Sequence, residues 1–434
     1  MQPIIDRIQS AIADNIGLAF GFLIISVLAG HALLVLLGSI RRAFADREQQ
    51  RLSRQRLQLQ VKAAMAQCRE AEQIKLLWNG YRKFRVAKKI LECHDVYSFY
   101  LSPHDGKPLP EFKPGQYLTF ALDVPGRDKA LIRCYSLSDG PLHPEYYRVT
   151  IKRALPPPDI AGATPGIASS FFCDGLREGD ILNVKAPSGN FFLDMSKPTP
   201  AVLISGGVGI TPMLSMANAI LETGDKRDVW FFFGARNRIE HIQKEHLERL
   251  AAEHDNFHLH VCYSKPGPED EQGRDYQHAE RVSVDLFKKL LPSNNFEYFI
   301  CGPGAFMKSI VDGLEAWGVP DDKVHFEAFG PATVKKAAPK PTASETVMLS
   351  KLEINFARSG KTAAWKPNFG SLLELADELG IKIDSGCRAG NCGTCLVAIK
   401  SGAVDYLSGH GAEAEAGSCL TCICKPRTNL VLDA

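Results

Sequence analysis

Ser385-Gly386-Cys387-Arg388-Ala389-Gly390-Asn391-Cys392-Gly393-Thr394-Cys395 is the stretch that decides how the rest of the chain is read. It spaces Cys387, Cys392 and Cys395 as C-x4-C-x2-C, the pattern of a loop that wraps a [2Fe–2S] cluster and calls for a fourth, more distant thiolate. The small residues Gly386, Ala389, Gly390 and Gly393 allow the backbone to wrap closely and aim amides at sulfur. Zinc sites instead pair two C-x2-C units or add histidines. Three cysteines further on can complete the set: Cys419, Cys422 and Cys424.

Working outward, the last ~90 residues resemble a plant-type ferredoxin domain, an α+β (β-grasp) fold. In that family the fourth ligand precedes a strand in a Thr-Cys or Ala-Cys step. Leu420-Thr421-Cys422-Ile423-Cys424-Lys425-Pro426 fits with Cys422 as ligand, although the gap from Cys395 is shorter than is usual. Cys419 and Cys424 therefore stay open as rivals. Strands are expected near Met348–Ala357 and a helix near Leu372–Leu379.

The totals fit a multidomain chain. Its 434 residues leave room for two to four domains, and 45% apolar content supplies several cores. A formal net charge of +2 carries no nucleic-acid signature. The 12 cysteines are spread along the chain, with six near its end, which points to a metal centre in a reducing compartment rather than a disulfide framework.

Residues 16–40 carry no Asp, Glu, Lys or Arg and are long enough for a transmembrane helix. His31 is their single ionisable residue; it fits a haem or quinone contact, or a neutral imidazole against a partner helix. A signal peptide is the competing reading, since Ala43-Phe44-Ala45 mimics a cleavage site, but the apolar run is too long and its start is not basic. Arg41, Arg42, Arg47, Arg51, Arg54 and Arg56 follow the span. They predict a single-pass inner-membrane protein with its bulk in the cytoplasm. Residues 1–15 are a short tail, and 41–79 read as a charged helical linker. Leu57, Val61, Ala64, Cys68 and Ala71 line one modest face of it, suited to a stalk, a coiled coil or a lipid surface.

From residue 80 to 197 short alternating runs separated by Gly/Pro turns predict an antiparallel β-barrel: Lys83–Leu91, Tyr97–Leu101, Tyr117–Leu122, Tyr147–Lys152 and Ile181–Ala186. Arg133-Cys134-Tyr135-Ser136-Leu137-Ser138 resembles the R-x-Y-S-[LF]-[ST] signature of the ferredoxin–NADP reductase superfamily. Three further matches follow in order: the strand Tyr147–Arg153, the turn Gly166-Ile167-Ala168-Ser169, and Pro187-Ser188-Gly189-Asn190-Phe191. The resemblance implies FAD, with Arg133 on its phosphate, Tyr135 packed against the flavin and Ser136 bonded to the ring edge. Val149, Ile151 and Lys152 would lie along the cofactor. Gly166, Ile167, Ala168 and Ser169 would open a helix toward the pyrophosphate.

Residues 198–331 predict an α/β nucleotide-binding domain. Ala201–Ser205 reads as a buried strand, followed by Gly206-Gly207-Val208-Gly209-Ile210-Thr211-Pro212 and a helical run from Met213 to Glu222. This matches the superfamily's G-G-x-G-[IV]-[TA]-P loop, so Gly207, Gly209, Thr211 and Pro212 are candidate nucleotide contacts. Arg236 ends the next strand on the ribose side. Cys301-Gly302-Pro303 matches the family's C-G-P turn, and His325–Pro331 its closing segment with Glu327 and Phe329. Cys301 also reads as an ordinary small packing residue. Arg236, Arg238 and Lys265 suit a 2′-phosphate, but Glu240, Glu269 and Asp270 stand among them, so NADH is expected over NADPH.

Residues 332–345 read as a semi-flexible linker, and 346–434 as the ferredoxin domain. The domain order resembles the reductases of phthalate dioxygenase and of hybrid-cluster-protein systems. Electron counting then implies the path. Nicotinamide gives two electrons together, an iron–sulfur cluster takes one, and a flavin must stand between. Ser136, Cys301 and Glu327 are the candidate catalytic residues around the hydride step. The acceptor is a separate oxygenase, desaturase or other redox protein. Competing readings are a subunit of a quinone-reducing respiratory complex, or a redox sensor or scaffold.

Overall fold

The computed structural model describes residues 2–156, 164–329, 352–366, 369–386, 388, 390, 393–406 and 414–434. Two compact units divide the chain, Met1–Lys75 and Leu76–Ala434. The first is a single helix, α1 (Gln2–Leu76), about 110 Å long at 1.5 Å per residue. The expected tail, span and linker helix are thus one uninterrupted element. Its sequence explains this, because no proline follows Pro3 until Pro103. Within the second unit, Asn79-Gly80, with Gly80 at φ +72°, makes the turn that precedes its first strand. One stretch of α1 is long and apolar enough to cross a membrane by length and composition, and Leu28 and Leu34 on it are 62% and 70% exposed.

The second unit begins with an antiparallel barrel. Its strands are β1 (Arg82–Cys93), β2 (Val96–Pro103), β3 (Tyr117–Leu122), β4 (Leu131–Ser136), β5 (Tyr147–Lys152) and β6 (Ile181–Val184). They run in the order β4-β3-β6-β1-β2-β5, and a bridge between Leu137 and Val149 joins the two ends. Period-two alternation puts Phe84 and Val86 of β1 inside, with Phe99, Leu101, Phe120 and Val149. A short helix, α2 (Ile167–Ser170), runs on into a π-helical turn at Phe171–Gly175. That turn drives Phe172 edge-on against Phe99, Phe120 and Tyr135, with ring centroids 5.3, 5.3 and 5.1 Å away.

Next comes a five-stranded parallel sheet. It contains β7 (Ala201–Gly206), β8 (Val229–Ala235), β9 (Phe257–Tyr263), β10 (Glu297–Cys301) and β11 (Val324–Glu327), in the order β11-β10-β7-β8-β9. Helices α3 (Ile210–Glu222), α4 (Lys244–Glu253), α5 (Val284–Leu290) and α6 (Gly304–Ala316) connect these strands. Continuous apolar runs such as Val229–Phe233 suit a sheet covered on both faces. The order reverses between β7 and β10, so a crevice opens outside their carboxyl ends. Val96, Phe191 and Leu193 from the barrel side enter the same core as α3, and Phe191 meets Phe299 at 5.9 Å.

The C-terminal part has β12 (Glu353–Phe356), β13 (Lys361–Ala364), α7 (Leu372–Glu378), β14 (Leu396–Ser401), β15 (Val404–Tyr406), β16 (Ser418–Leu420), β17 (Cys424–Pro426) and β18 (Leu430–Leu432). Sheet order is β13-β12-β18-β14-β16, with β15 paired to β17. Ser371 caps α7 by accepting from Glu374 N, and the Glu374 carboxylate reaches back to Gly370 N. The strand anticipated from Met348 starts at Glu353; Met348 itself and the linker 332–345 lie outside the described residues.

Candidate active site: a flavin cleft closed by the cluster loop

A cleft of about 590 Å³ lies where the three parts of the second unit meet. Strand β4 supplies Arg133, Tyr135 and Ser136, and β5 supplies Ile151 and Lys152. Gly166, Ile167, Ala168 and Ser169 come from the turn at α2, Thr211 from α3, and Glu327 and Phe329 from the end of the parallel domain. Twelve residues singled out in the sequence are therefore brought to one cavity. Val149 is not: it is fully buried in the barrel core and absent from the cleft wall, whereas Ile151, on the same face of β5 and in the same core, reaches the cleft. The expected place of the Val149 side chain along the cofactor is corrected by its depth in that core.

Charge in the cleft is one-sided. Among the described residues, Arg127, Arg133, Lys152 and Arg388 line it against one acid, Glu327. Arg133 spends one donor on the Ile132 carbonyl at 2.7 Å and pairs with no carboxylate among the described residues. Burial pushes the Tyr135 hydroxyl above its ordinary pKa, so it stays neutral. Ser169 departs from the simple phosphate-site expectation. Its Oγ donates to Gly166 O and accepts from Ala154 N, both at 3.0 Å, so it braces the turn. A Cβ on Gly166 would come within 2.7 Å of Ala154 Cβ, which requires glycine there.

Ser136 Oγ donates to Glu327 Oε2 at 3.4 Å, which brings two expected catalytic residues together. Glu327 keeps part of its surface open to the cleft, yet burial raises its carboxyl to about 8, against which the Ser136 hydrogen bond works. It therefore holds a proton at neutral pH. Cys301 pairs in register with Glu327 across β10 and β11 and is fully buried. Burial first, and the Glu327 carboxylate second, hold its thiol well above the usual range. Cys301 lies in the core beneath the cleft and does not line it.

The expected nucleotide loop sits at the sheet's reversal. Gly207 adopts φ +56°. A Cβ on Gly209 would come within 2.3 Å of Cys301 O and 2.7 Å of Gly302 N, and one on Gly206 within 3.2 Å of Pro303 Cδ. The two glycine-bearing turns thus touch backbone to backbone, and Gly207, Gly209, Pro212, Gly302 and Pro303 gather at the carboxyl ends of β7 and β10. Arg236 is farther along this edge, 73% exposed, with its guanidinium 3.4 Å from Glu240. The other oxygen of Glu240 is 3.2 Å from Lys152 in the cleft.

The cluster loop closes the cleft from the third side. Ser385, Gly386 and Arg388 line it, and Lys129 of the barrel pairs with Asp384 at 3.3 Å. Cys387 and Cys392 lie outside the described residues. Cys395 Sγ and Cys422 Sγ are 3.2 Å apart, and Gly390 N donates to Cys422 Sγ at 3.3 Å. Metal–thiolate bonds of about 2.3 Å, as at zinc, would let one metal bridge such a pair. Cys419 and Cys424 instead belong to the domain's apolar core. Their mutual hydrogen bond first, then burial, keeps the Cys424 thiol far above its ordinary pKa. This donor set favours Cys422 as the fourth ligand.

Comparison with known proteins agrees with this geometry. Residues 83–193 match the Oxidoreductase FAD-binding domain, 203–312 the Oxidoreductase NAD-binding domain, and 355–427 the 2Fe-2S iron-sulfur cluster binding domain. The flavohem-like FAD/NAD-binding domain of nitric oxide dioxygenase from Vibrio cholerae O1 biovar El Tor is 31% identical, with TM-score 0.51, covering 58% of this chain and all of that one. The chain belongs to the ferredoxin–NADP reductase superfamily. Phthalate dioxygenase reductase, described as modular for electron transfer from pyridine nucleotides to [2Fe-2S], aligns over 82% of this reductase and 98% of its own chain, at 28% identity and TM-score 0.50. The flavohemoprotein of Halalkalibacterium halodurans is 40% identical over 263 residues, 61% of this chain. The reductase spans 63% of that relative's length, matching its reductase part. The matched domains support FAD, a [2Fe–2S] cluster and NAD(H) as cofactors, and the cleft's cations and paired thiols fit them.

Sequence reasoning missed part of the cleft wall in this reductase. Tyr117, Arg127 and Leu131 carry no motif, Thr150 lies in the Tyr147–Arg153 match without being singled out, and Ser385, Gly386 and Arg388 belong to the loop read only as a cluster holder. Only tertiary docking places that loop over β4.

Proposed function

We propose that the chain is a membrane-anchored NADH reductase that passes electrons through FAD and its own [2Fe–2S] cluster to a separate redox protein. The observation that carries this reading is the shared cleft: residues of the cluster loop and of the flavin strand β4 line one cavity. Bound FAD supplies the conversion between a two-electron donor and a one-electron acceptor. Arg133 and Arg127 would neutralise its phosphates, and Tyr135 would pack on it. Ser136 and the proton on Glu327 would orient the reacting edge, while buried Cys301 fixes the floor under Glu327.

Preference for NADH is supported by how the cations near the ribose edge are used. Arg236 pairs with Glu240, and Arg238 lies 3.3 Å from Glu269 and 3.9 Å from Asp270. A 2′-phosphate would have to compete with these carboxylates. Membrane attachment through the apolar part of α1 is supported by its length and by the arginines that follow it. On this reading the cofactor domains lie in the cytoplasm, beside an inner membrane.

Steady-state assays with NADH and NADPH against a one-electron dye and a soluble quinone test the reading. It predicts a kcat/KM at least tenfold higher with NADH, fast dye reduction and slow quinone reduction. Faster quinone than dye reduction would move the chain to a quinone-reducing complex.

A further inference from the structure

Helix α3 carries polar residues at a spacing that its apolar composition makes conspicuous. Thr211, Ser215, Asn218 and Glu222 recur at steps of four, three and four, which places them on one face. Thr211 lines the flavin cleft. Ser215 Oγ is buried without a hydrogen-bond partner among the described residues. Asn218 is 2% exposed. Glu222 lies 3.5 Å from His143 Nε2 and so close over Gly140 that a Cβ there would come within 2.1 Å of its carboxylate. The stripe therefore runs down the barrel side from the nucleotide loop to the turn after β4.

Asn218 is the stripe's central joint. Its Nδ2 donates to Asp139 Oδ1 of the barrel at 2.8 Å, and its Oδ1 lies 2.8 Å from His246 Nε2 on α4. Arg249 donates to His246 Nδ1 at 2.7 Å. The arrangement fixes the proton on Nε2, in keeping with burial, which pushes the imidazole down to about 4. On the barrel side, Asp139 also accepts from Tyr146 Oη at 3.1 Å and faces Arg148 at 3.4 Å. Arg148 in turn reaches Ser138 Oγ, which is 2.9 Å from Thr150 Oγ1 at the cleft wall. A continuous polar chain thus joins the cleft, the buried Asp139–Arg148 pair and two helices of the parallel domain.

The geometry points to Asn218 as a positioning residue for hydride delivery: by joining Asp139 of the barrel to α3 and α4, it fixes the register of the Gly207–Thr211 loop over the flavin cleft. Apolar packing alone tolerates sliding, whereas a buried amide with both ends engaged accepts one register. Two helical turns separate Asn218 from Thr211, so a shift at one is carried by the rigid helix to the other. The inference rests on nucleotide use by the reductase and not on the nature of its acceptor.

The test uses the full-length holoprotein with Asn218→Leu and the isosteric Asn218→Asp, which sets a second carboxylate against Asp139. Anaerobic stopped-flow mixing with saturating NADH measures flavin reduction. Photoreduction without nucleotide then measures flavin-to-cluster transfer. Both variants should retain FAD and pass electrons to the cluster within about twofold of the parent. Flavin reduction should slow at least tenfold, with a larger isotope effect from C4-deuterated NADH. If the leucine variant folds poorly, the aspartate variant decides. Flavin reduction within twofold of the parent in Asn218→Asp overturns the proposal, and so does a parallel fall of both half-reactions, which marks general damage. Loss of NADH reduction in the parent itself would instead defeat the reading of the reductase.

Discussion

At the residue scale, Cys422 and Cys419 make contrasting predictions. Cys422→Ser removes a thiolate 3.2 Å from Cys395, so the visible cluster spectrum should disappear. Cys419→Ser alters a core thiol and should keep it; the opposite pair of spectra would move the fourth ligand. Arg133→Ala removes a cation from the flavin cleft and should weaken FAD retention by about tenfold or more, read by flavin release on dilution. Glu327 makes a pH prediction. Its folded-state pKa is raised to about 8, so the folded chain holds a proton that the unfolded one loses above the ordinary value of 4.5. Stability should therefore fall as pH rises from the ordinary value toward 8. Glu327→Gln should flatten that slope in thermal melts, and an unchanged slope would assign the pH dependence elsewhere. The cysteine spacing and the R-x-Y-S hexapeptide were legible as chemistry because each imposes a fixed residue type at a fixed interval. Asn218 and Arg127 were not, since a lone buried amide or an exposed arginine acquires meaning only from what folds against it.

At the element scale, the strands Tyr117–Leu122 and Tyr147–Lys152 coincide with β3 and β5, because turns bound them tightly. Val149 shows the limit of motif transfer: the strand was right, but that side chain lies too deep in the barrel core to reach the cleft that Ile151, two residues on, lines. Helix α1 shows another limit. Charge and hydropathy divide residues 1–79 into three, while backbone propensity does not, so one helix crosses all the compositional borders. The two turns at the reversal between β7 and β10 yield a further prediction. Gly209→Ala would press a methyl group to 2.3 Å from the Cys301 carbonyl, costing about 1–3 kcal/mol of stability. NADH-dependent flavin reduction should drop while FAD binding persists. Normal reduction kinetics would show that the loop relaxes freely.

For the whole molecule, three domains share one cleft, and that arrangement gives the order of the chain a purpose. The domain order was readable, since every motif appears in sequence. The closing of the flavin cleft by Ser385, Gly386 and Arg388 was not, because it depends on surfaces far apart in the chain, with Lys129–Asp384 as the exposed ion pair between them. The unit beginning at Leu76 has its own cores. Deleting residues 1–75 should therefore leave a soluble protein that still reduces dyes with NADH at a rate within about threefold of the parent. Loss of all turnover would give α1 a part in electron transfer. The most direct measurement of the central claim is an anaerobic titration of the purified protein with NADH, following flavin by visible absorbance and the cluster by low-temperature electron paramagnetic resonance. The account predicts that substoichiometric NADH bleaches the flavin and raises a [2Fe–2S] signal. A bleached flavin with an electron-paramagnetic-resonance-silent cluster, or no response in either centre, would contradict it.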